Sequence, residues 1–417
     1  MKRSILGIVT MTMMSTTVLA QNVTIPDANF KAYLLANTAI NTNSDSEIQI
    51  SEAAAFSGQM DCGYLNISDL TGLEAFSSLT DLRCYGNSIA SLDVSQNSAL
   101  EYLNCGYNGN LVSLNTGALT SLHTVITTDN TSMSSVDFSQ NTALETLDVT
   151  SNELFNLDVA QNTALKNLTI NFNHITTLDL SNNPNLLSLS CFNNTLTSLD
   201  LSNCPLLSNL ACGGNSISSL DLSALPGLFN FSCNGNNLIA LDVSNNPILS
   251  VLRCENNSIQ QLDVSQNVDL AYFTCQSNEL TSLNMKNLNS TTLGSFDATS
   301  NPNLTCIEVD DVTDATTNWT DIDATASFSL SCSSLGIQEA NLHETISVSP
   351  NPTSGEIRIR ELTNQADYQV VSLSGQIVKK GVIFPEGKLN VEDITPGVYF
   401  IHVQTDNKLF TSKFIKK

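Results

Sequence analysis

An asparagine returns every 21 to 23 residues through the middle of this 417-residue chain. It stands at Asn87, Asn108, Asn130, Asn152, Asn173, Asn194, Asn215, Asn236, Asn257, Asn278 and Asn301. A fixed period of this length demands a stack of similar small units, each burying its apolar side against the next, in place of one central core. A stack of this kind makes a long surface, which suits binding better than catalysis.

The stretch Leu207 to Gly227 is one unit, with Leu207, Leu210, Cys212, Asn215, Ile217, Leu220 and Leu222 at inward positions. The next unit repeats it with Leu228, Phe231, Cys233, Asn236, Leu238, Leu241 and Val243. Two inward residues two apart share one face of a short strand, so successive units stack into a parallel sheet. Each asparagine then has an identical neighbour above and below, placed to satisfy backbone groups where the chain turns inward. The pattern resembles the leucine-rich repeat, with Cys often in the third apolar place. The trailing Leu-Asp-Val-Ser resembles repeats of bacterial surface proteins of the internalin kind. The resemblance covers about residues 60–305 and implies an α/β-type solenoid dominated by β, with a helical N-terminal cap.

Cys62, Cys84, Cys105, Cys191, Cys212, Cys233, Cys254 and Cys275 share the inward strand slot, which Thr127, Val149, Ile170 and Ala298 fill elsewhere. Exchange with Val and Ile predicts buried thiols acting as small hydrophobes. Cys204 stands where other units have Asn and reads as incidental. Cys306 and Cys332 bracket a stretch where the repeat breaks down and the single Trp, Trp319, appears. In an exported protein this pair is expected to form a disulfide at the end of the stack. A second row, Asp93, Asp137, Asp158, Asp179, Asp200, Asp221, Asp242 and Asp263, with Asn115 and Asn284 as variants, admits two readings. Each carboxylate accepts N–H groups of its own turn, or the row forms a cation ladder.

Residues 1–20 read as a signal peptide: Lys2 and Arg3, an apolar run, then Val18-Leu19-Ala20. No later segment approaches the ~18 apolar residues that span a bilayer. From 22 to 335 the chain holds 31 acidic and five basic residues, a net charge of −26, which repels nucleic acid and anionic membranes. Residues 21–60 are expected to cap the stack with a helix from Pro26-Asp27 through Leu35 and a second from Ser51 to Phe56. Between them, Asn41, Asn43, Asp45, Glu47 and Glu52 resemble the calcium loop of helix–loop–helix proteins, with Asn41 for the first Asp and Ser46 for the turn glycine. A purely structural cap and weak calcium binding both stay open, and no other cofactor is expected.

The units divide as repeats over 61–305, a C-terminal cap and linker over 306–335, and a small all-β sandwich over 336–417. Strands are expected at Ile346 to Pro350, Glu356 to Arg360, Tyr368 to Leu373, Val398 to Val403 and Leu409 to Ile415. Ser349-Pro-Asn-Pro-Thr-Ser-Gly355, Val371-Ser-Leu-Ser-Gly375, Ile394-Thr-Pro-Gly-Val-Tyr-Phe400 and Lys413-Phe-Ile-Lys-Lys417 together resemble the type A sorting domain of the type IX secretion system of Bacteroidota. The resemblance implies passage through the periplasm and across the outer membrane, removal of this domain, and release or attachment at the cell surface.

No catalytic constellation is present: His123, His174, His343 and His402 are isolated, and no G-x-S-x-G or phosphate loop occurs. No enzymatic activity is expected. Outward on the strand face lie Arg83, Tyr85, Tyr102, Tyr107, Phe172, Phe192, Arg253 and Tyr272, residue types favoured as interface anchors. The expected function is binding of a protein or glycan by a secreted monomer. A passive acidic surface component and a calcium-dependent module are the alternatives.

Overall fold

The computed structural model describes residues 21–288, 290–332, 348–359, 362, 365–372, 376–385, 387–404 and 409–417. The expected signal peptide lies outside the described residues, as does His343. The chain forms two compact units that divide between Cys332 and Ser333.

The first unit is a succession of short strands and turns built on a parallel sheet of 12 strands, running from Gln59–Asp61 to Ser295–Asp297. Each strand is three residues long with its central Leu, Phe, Val or Met turned inward, as in Asp81–Arg83 and Ser188–Ser190. Neighbours pair in phase, Asp81 with Tyr102, Leu82 with Leu103 and Arg83 with Asn104, so equivalent positions of successive coils stack. One more coil exists than the asparagines mark, because the first carries Leu65 in that slot. On the opposite flank, Gln261–Asp263, Ser282–Asn284, Cys306–Glu308 and Ser327–Ser329 form a second short parallel sheet.

The asparagine row staples the coils. Asn173 Nδ2 donates to the carbonyls of Val149 (2.9 Å), Ile170 (3.1 Å) and Asn171 (3.1 Å), while its Oδ1 accepts from Leu154 N–H (3.1 Å). Asn194, Asn236 and Asn278 repeat this arrangement. A second, fully buried row, Asn97, Asn141, Asn162, Asn183, Asn246 and Asn267, was not separated from the turn pattern by sequence reasoning. Asn246 Nδ2 donates to the Leu222 and Leu225 carbonyls at 3.2 and 2.7 Å. Cys204 belongs to this row: its Sγ sits 3.7 Å from the Asn183 carbonyl, as Asn183 Nδ2 meets the Asn162 carbonyl one coil earlier. It is therefore a substituent of a structural column and not incidental.

The cysteine slot is buried throughout. Burial pushes the thiols of Cys105 and Cys191 up to about 12, so they stay protonated and unreactive as small hydrophobes. Cys306 and Cys332 are joined by a disulfide across a separation of 26 residues. Beside it the helix Val312–Asn318 leads into Trp319, whose ring lies 5.9 Å from Phe296 and 6.2 Å from Phe328 and covers the last coil. At the other end the helices are Ala28–Ala36 and Ile50–Ala55. Asp27 starts the first by accepting from the N–H groups of Asn29 and Phe30 at 2.9 Å, and Phe30 and Leu34 are fully buried against the first coils.

The second unit holds a three-stranded sheet, Val348–Ser349, Glu356–Ile359 and Lys388–Asn390, and a four-stranded antiparallel one. The latter orders Ile377–Ile383, Ala366–Ser372, Gly397–Gln404 and Leu409–Lys416. One core joins the two sheets through Ile357, Ile359, Leu389, Val370, Ile401, Val403 and Phe414, as a sandwich requires. Sequence reasoning missed Ile377–Ile383, whose Lys379-Lys380-Gly381 breaks the alternation of an edge strand, and the three-residue strand Lys388–Asn390.

Candidate surface for partner binding

The strand face of the solenoid presents two residues per coil from each strand, followed by a turn that runs into the asparagine. In its middle the outward strand positions hold small or polar side chains: Asn167, Thr169, Ser188, Ser190, Asn209, Ala211, Asn230 and Ser232. Among the strand positions, the large side chains stand toward both ends.

At the N-terminal end, Arg83 forks onto Asp81 with Nε and Nη2 each 3.0 Å from a carboxylate oxygen, and its guanidinium lies 4.8 Å over the Tyr102 ring. The same geometry recurs eight strand steps along the sheet, about 40 Å away at ~4.8 Å per step. There Arg253 lies 4.3 Å over Tyr272. Each pair is a cation–π contact made between adjacent coils.

A turn column follows the strands. The residue two beyond the cysteine slot is left-handed in the coils from Tyr64 to Ser300. Gly86, Gly214 and Gly235 take it without penalty, and Asn193, Asn256, Asp129, Ser151, Ser277 and Ser300 are small polar residues there. Tyr64 (φ 57°), Tyr107 (φ 57°) and Phe172 (φ 53°) are the aromatic exceptions. A left-handed backbone costs such residues roughly 1 kcal/mol or more. None recovers that by burial, since Tyr64 is 68%, Tyr107 55% and Phe172 53% exposed.

Glycines one place earlier or in the column make room for the rings. A Cβ on Gly63 would stand 2.7 Å from the Tyr85 ring, and one on Gly86 would overlap the Tyr64 ring. Tyr64 and Tyr85 meet edge to face at 5.3 Å, and Phe172 and Phe192 at 6.1 Å. Phe192 tucks over Gly213 and is half-buried. His174 lies on the adjoining flank, 2.9 Å from Glu153 and stacked on the exposed Phe155 at 5.3 Å.

The eight residues expected on this face therefore fall into three groups: Arg83, Tyr85, Tyr102 and Tyr107 near the N-terminal end, Phe172 and Phe192 in the middle, and Arg253 with Tyr272 beyond. Sequence reasoning missed Tyr64 because its coil lacks the asparagine marker.

The aspartate row follows the turn reading. Asp179, Asp200, Asp221 and Asp242 each accept the N–H two residues on at 2.9 Å. For Asp200 the Ser202 N–H holds the carboxyl below its ordinary value, against the opposing charges of Asp179 and Asp221. Among the described residues no group of three His, Cys, Asp or Glu is arranged to hold a metal ion.

The loop at Asn41–Glu52 closes largely on its own donors. Gln49 Nε2 donates to both Asp45 carboxylate oxygens at 3.1 and 3.3 Å and reaches the Glu47 carbonyl at 3.4 Å. Glu52 accepts from the N–H groups of Thr42, Asn43 and Gln49 at 2.9, 3.2 and 3.1 Å. Asn43 bonds Asp45, and the Glu47 carboxylate pairs with Lys31 at 2.7 Å. Only Asn41 Oδ1, buried without a partner, is left over from the expected set. A ligand that binds the folded state raises the unfolding midpoint. Millimolar calcium is expected to leave the thermal midpoint of the full chain unchanged, and a rise reversed by chelator would assign the loop to calcium.

Residues 347–417 match the secretion system C-terminal sorting domain family. No curated protein matches the chain in sequence. Among solved structures, the functional domain of InlJ from Listeria monocytogenes, which includes a cysteine ladder, is 20% identical with a TM-score of 0.50. The alignment covers 96% of this chain and 99% of that one. The internalin InlF of the same organism is 19% identical over 68% of this chain and 99% of that one, with a TM-score of 0.44. The protein is thus a leucine-rich repeat solenoid of internalin-like fold that carries a secretion system C-terminal sorting domain at residues 347–417.

Proposed function

We propose that the chain is an exported, non-catalytic binding protein whose strand face holds a protein partner outside the cell. The sorting domain supports export, and no helix among the described residues is long and apolar enough to cross a membrane. One observation carries the binding reading: two Arg–Tyr pairs and a set of exposed aromatic rings stand along one face of a repeat scaffold. Aromatic and arginine side chains held in place on a rigid sheet lose little entropy on docking, so they contribute most of the affinity in interfaces of this kind. The low Ser, Asn and Thr floor between them leaves room for a convex partner and offers hydroxyl and amide groups for its rim.

The test is a panel of immobilised extracellular proteins probed with the full chain and with the double variant Tyr102→Ala, Tyr272→Ala. A saturable hit is expected to weaken at least tenfold in the variant, about 1.4 kcal/mol, with unchanged circular dichroism. A hit indifferent to both substitutions would place binding elsewhere on the surface.

A further inference from the structure

We propose that the left-handed tyrosines Tyr64 and Tyr107, with Tyr85 between them, receive an arginine- or lysine-rich segment of the partner. This rests on the strand-face reading and names the chemistry that the N-terminal end of that face selects. Three observations converge on it.

The first is the misfit of ring and backbone. At Tyr64 and Tyr107 the conformation favours the Gly or Asn used in other coils, and the rings stay mostly in solvent. Neither core packing nor turn geometry calls for an aromatic residue there, and residues held in disfavoured conformations cluster at ligand-contacting sites. The second is charge. All five basic residues between 22 and 335 are engaged within the molecule: Lys31 with Glu47, Arg83 with Asp81, Lys166 with Glu145, Lys286 with Glu308, and Arg253 over Tyr272. They face 31 acidic residues over the same 22–335 span. The surface thus lacks unengaged cations and attracts those of a partner.

The third is that the same face already shows the mode of contact. Twice a guanidinium of the chain lies on a tyrosine of the next coil, at 4.8 and 4.3 Å. Tyr64 and Tyr107 present the same ring chemistry and stay mostly in solvent. They stand two coils apart, about 10 Å at ~4.8 Å per coil, which matches three residues of an extended peptide at ~3.3 Å each. Asp129 follows Tyr107 in the same column and adds a carboxylate beside the track.

The experiment is calorimetric titration of the full chain with a hexa-arginine peptide at low and moderate salt. Tyr107→Asn and Tyr64→Asn serve as variants, because Asn suits the left-handed backbone. The expected result is saturable binding that weakens at least tenfold in the double variant at both salt levels. The thermal midpoint of Tyr107→Asn should be unchanged or higher. Equal affinity in wild type and double variant would reduce the attraction to diffuse charge and overturn the proposal, leaving the strand-face reading intact. So would saturable binding of a neutral cello-oligosaccharide, lost in the double variant, in place of the peptide: the site would stand and its ligand class would change. A lowered midpoint in Tyr107→Asn would assign that ring to the fold and also sink the proposal. Failure of the strand-face reading itself shows separately, in the Tyr102→Ala, Tyr272→Ala panel.

Discussion

Replacing Asn173 by Leu is expected to destabilise the solenoid by about 3–5 kcal/mol, a large share of the stability of an ordinary domain. Leucine fills the same space but offers neither donor nor acceptor. The Leu154 N–H loses its Oδ1 partner outright, while the carbonyls of Val149 and Ile170 each lose one of two amide donors and keep those of Asn152 and Asn194. A buried donor left unsatisfied costs about 1–3 kcal/mol and each further lost amide bond about 0.5–1.5 kcal/mol, and all three lie where two coils join. Asn173 stands in the middle of the row, so the damage falls between the two halves of the stack. Repeat proteins are held by nearest-neighbour contacts, and weakening one central junction should broaden the urea transition or split it. Urea unfolding followed by circular dichroism reads both effects. Asn246→Leu in the second row is the control. The chain already places Leu225 and Cys204 in that row, and Asn246 Oδ1 is without a hydrogen-bond partner. Only the two Nδ2 bonds are lost there, so a smaller cost of about 1–2 kcal/mol is expected. Equal losses at the two sites would show that the interlocking geometry of the first row carries no special weight.

The second large effect is expected at the far end of the stack. Converting Cys306 and Cys332 to Ala removes a cross-link that closes a separation of 26 residues, with a loss of about 3 kcal/mol in the chain-entropy account. The local consequence exceeds the global number. The strand Cys306–Glu308, the helix Val312–Asn318 and Trp319 all lie inside the closed loop, and Trp319 covers Phe296 of the last main-sheet coil. Without the link this segment should fray and uncover that apolar end, so amide exchange should rise first in residues 306–329. Both disulfide cysteines are half-buried and open to a reductant, while the nine free thiols are buried. Mild reduction should therefore reproduce the variant, seen as a lower thermal midpoint and a change in Trp319 fluorescence. An unchanged midpoint after reduction would mean that packing of Trp319 alone holds the end closed.

Much of this architecture was legible because the chain repeats itself. Asn, Leu and Cys recur with one period, so inward and outward positions could be assigned coil by coil; of the eight outward residues so assigned, Arg83, Tyr102, Arg253 and Tyr272 lie on strands, and Tyr85, Tyr107, Phe172 and Phe192 lie just after them. The legibility failed where repetition failed. Tyr64 sits in a coil whose marker slot holds Leu65, one place before Asn66, so the ring that faces Tyr85 dropped out of the count. The second asparagine row was hidden for another reason: its residues lie in the turn after the aspartate, where Asn is expected without any interior role. Only their complete burial distinguishes them. In the N-terminal loop the spacing displayed the oxygen ligands but not the reach of Gln49, whose amide nitrogen takes the Asp45 carboxylate. The edge strand Ile377–Ile383 was concealed by two lysines and a glycine that interrupt its alternation, a composition that also discourages pairing with other chains.

The in-phase register has a consequence for how such a molecule can vary. From Asn173 to Asn257 each coil shows its neighbours the same carbonyls, the same N–H group and the same asparagine, so these coils are interchangeable at that junction. A whole unit could be duplicated or excised between Asn167–Thr169 and Val251–Arg253 with the asparagine contacts of the junction re-formed, because the helical start and the cross-linked finish lie outside that span. The separation between the two Arg–Tyr posts is then an adjustable quantity, lengthened or shortened in steps of ~4.8 Å. The molecule is a ruler whose span is set by counting.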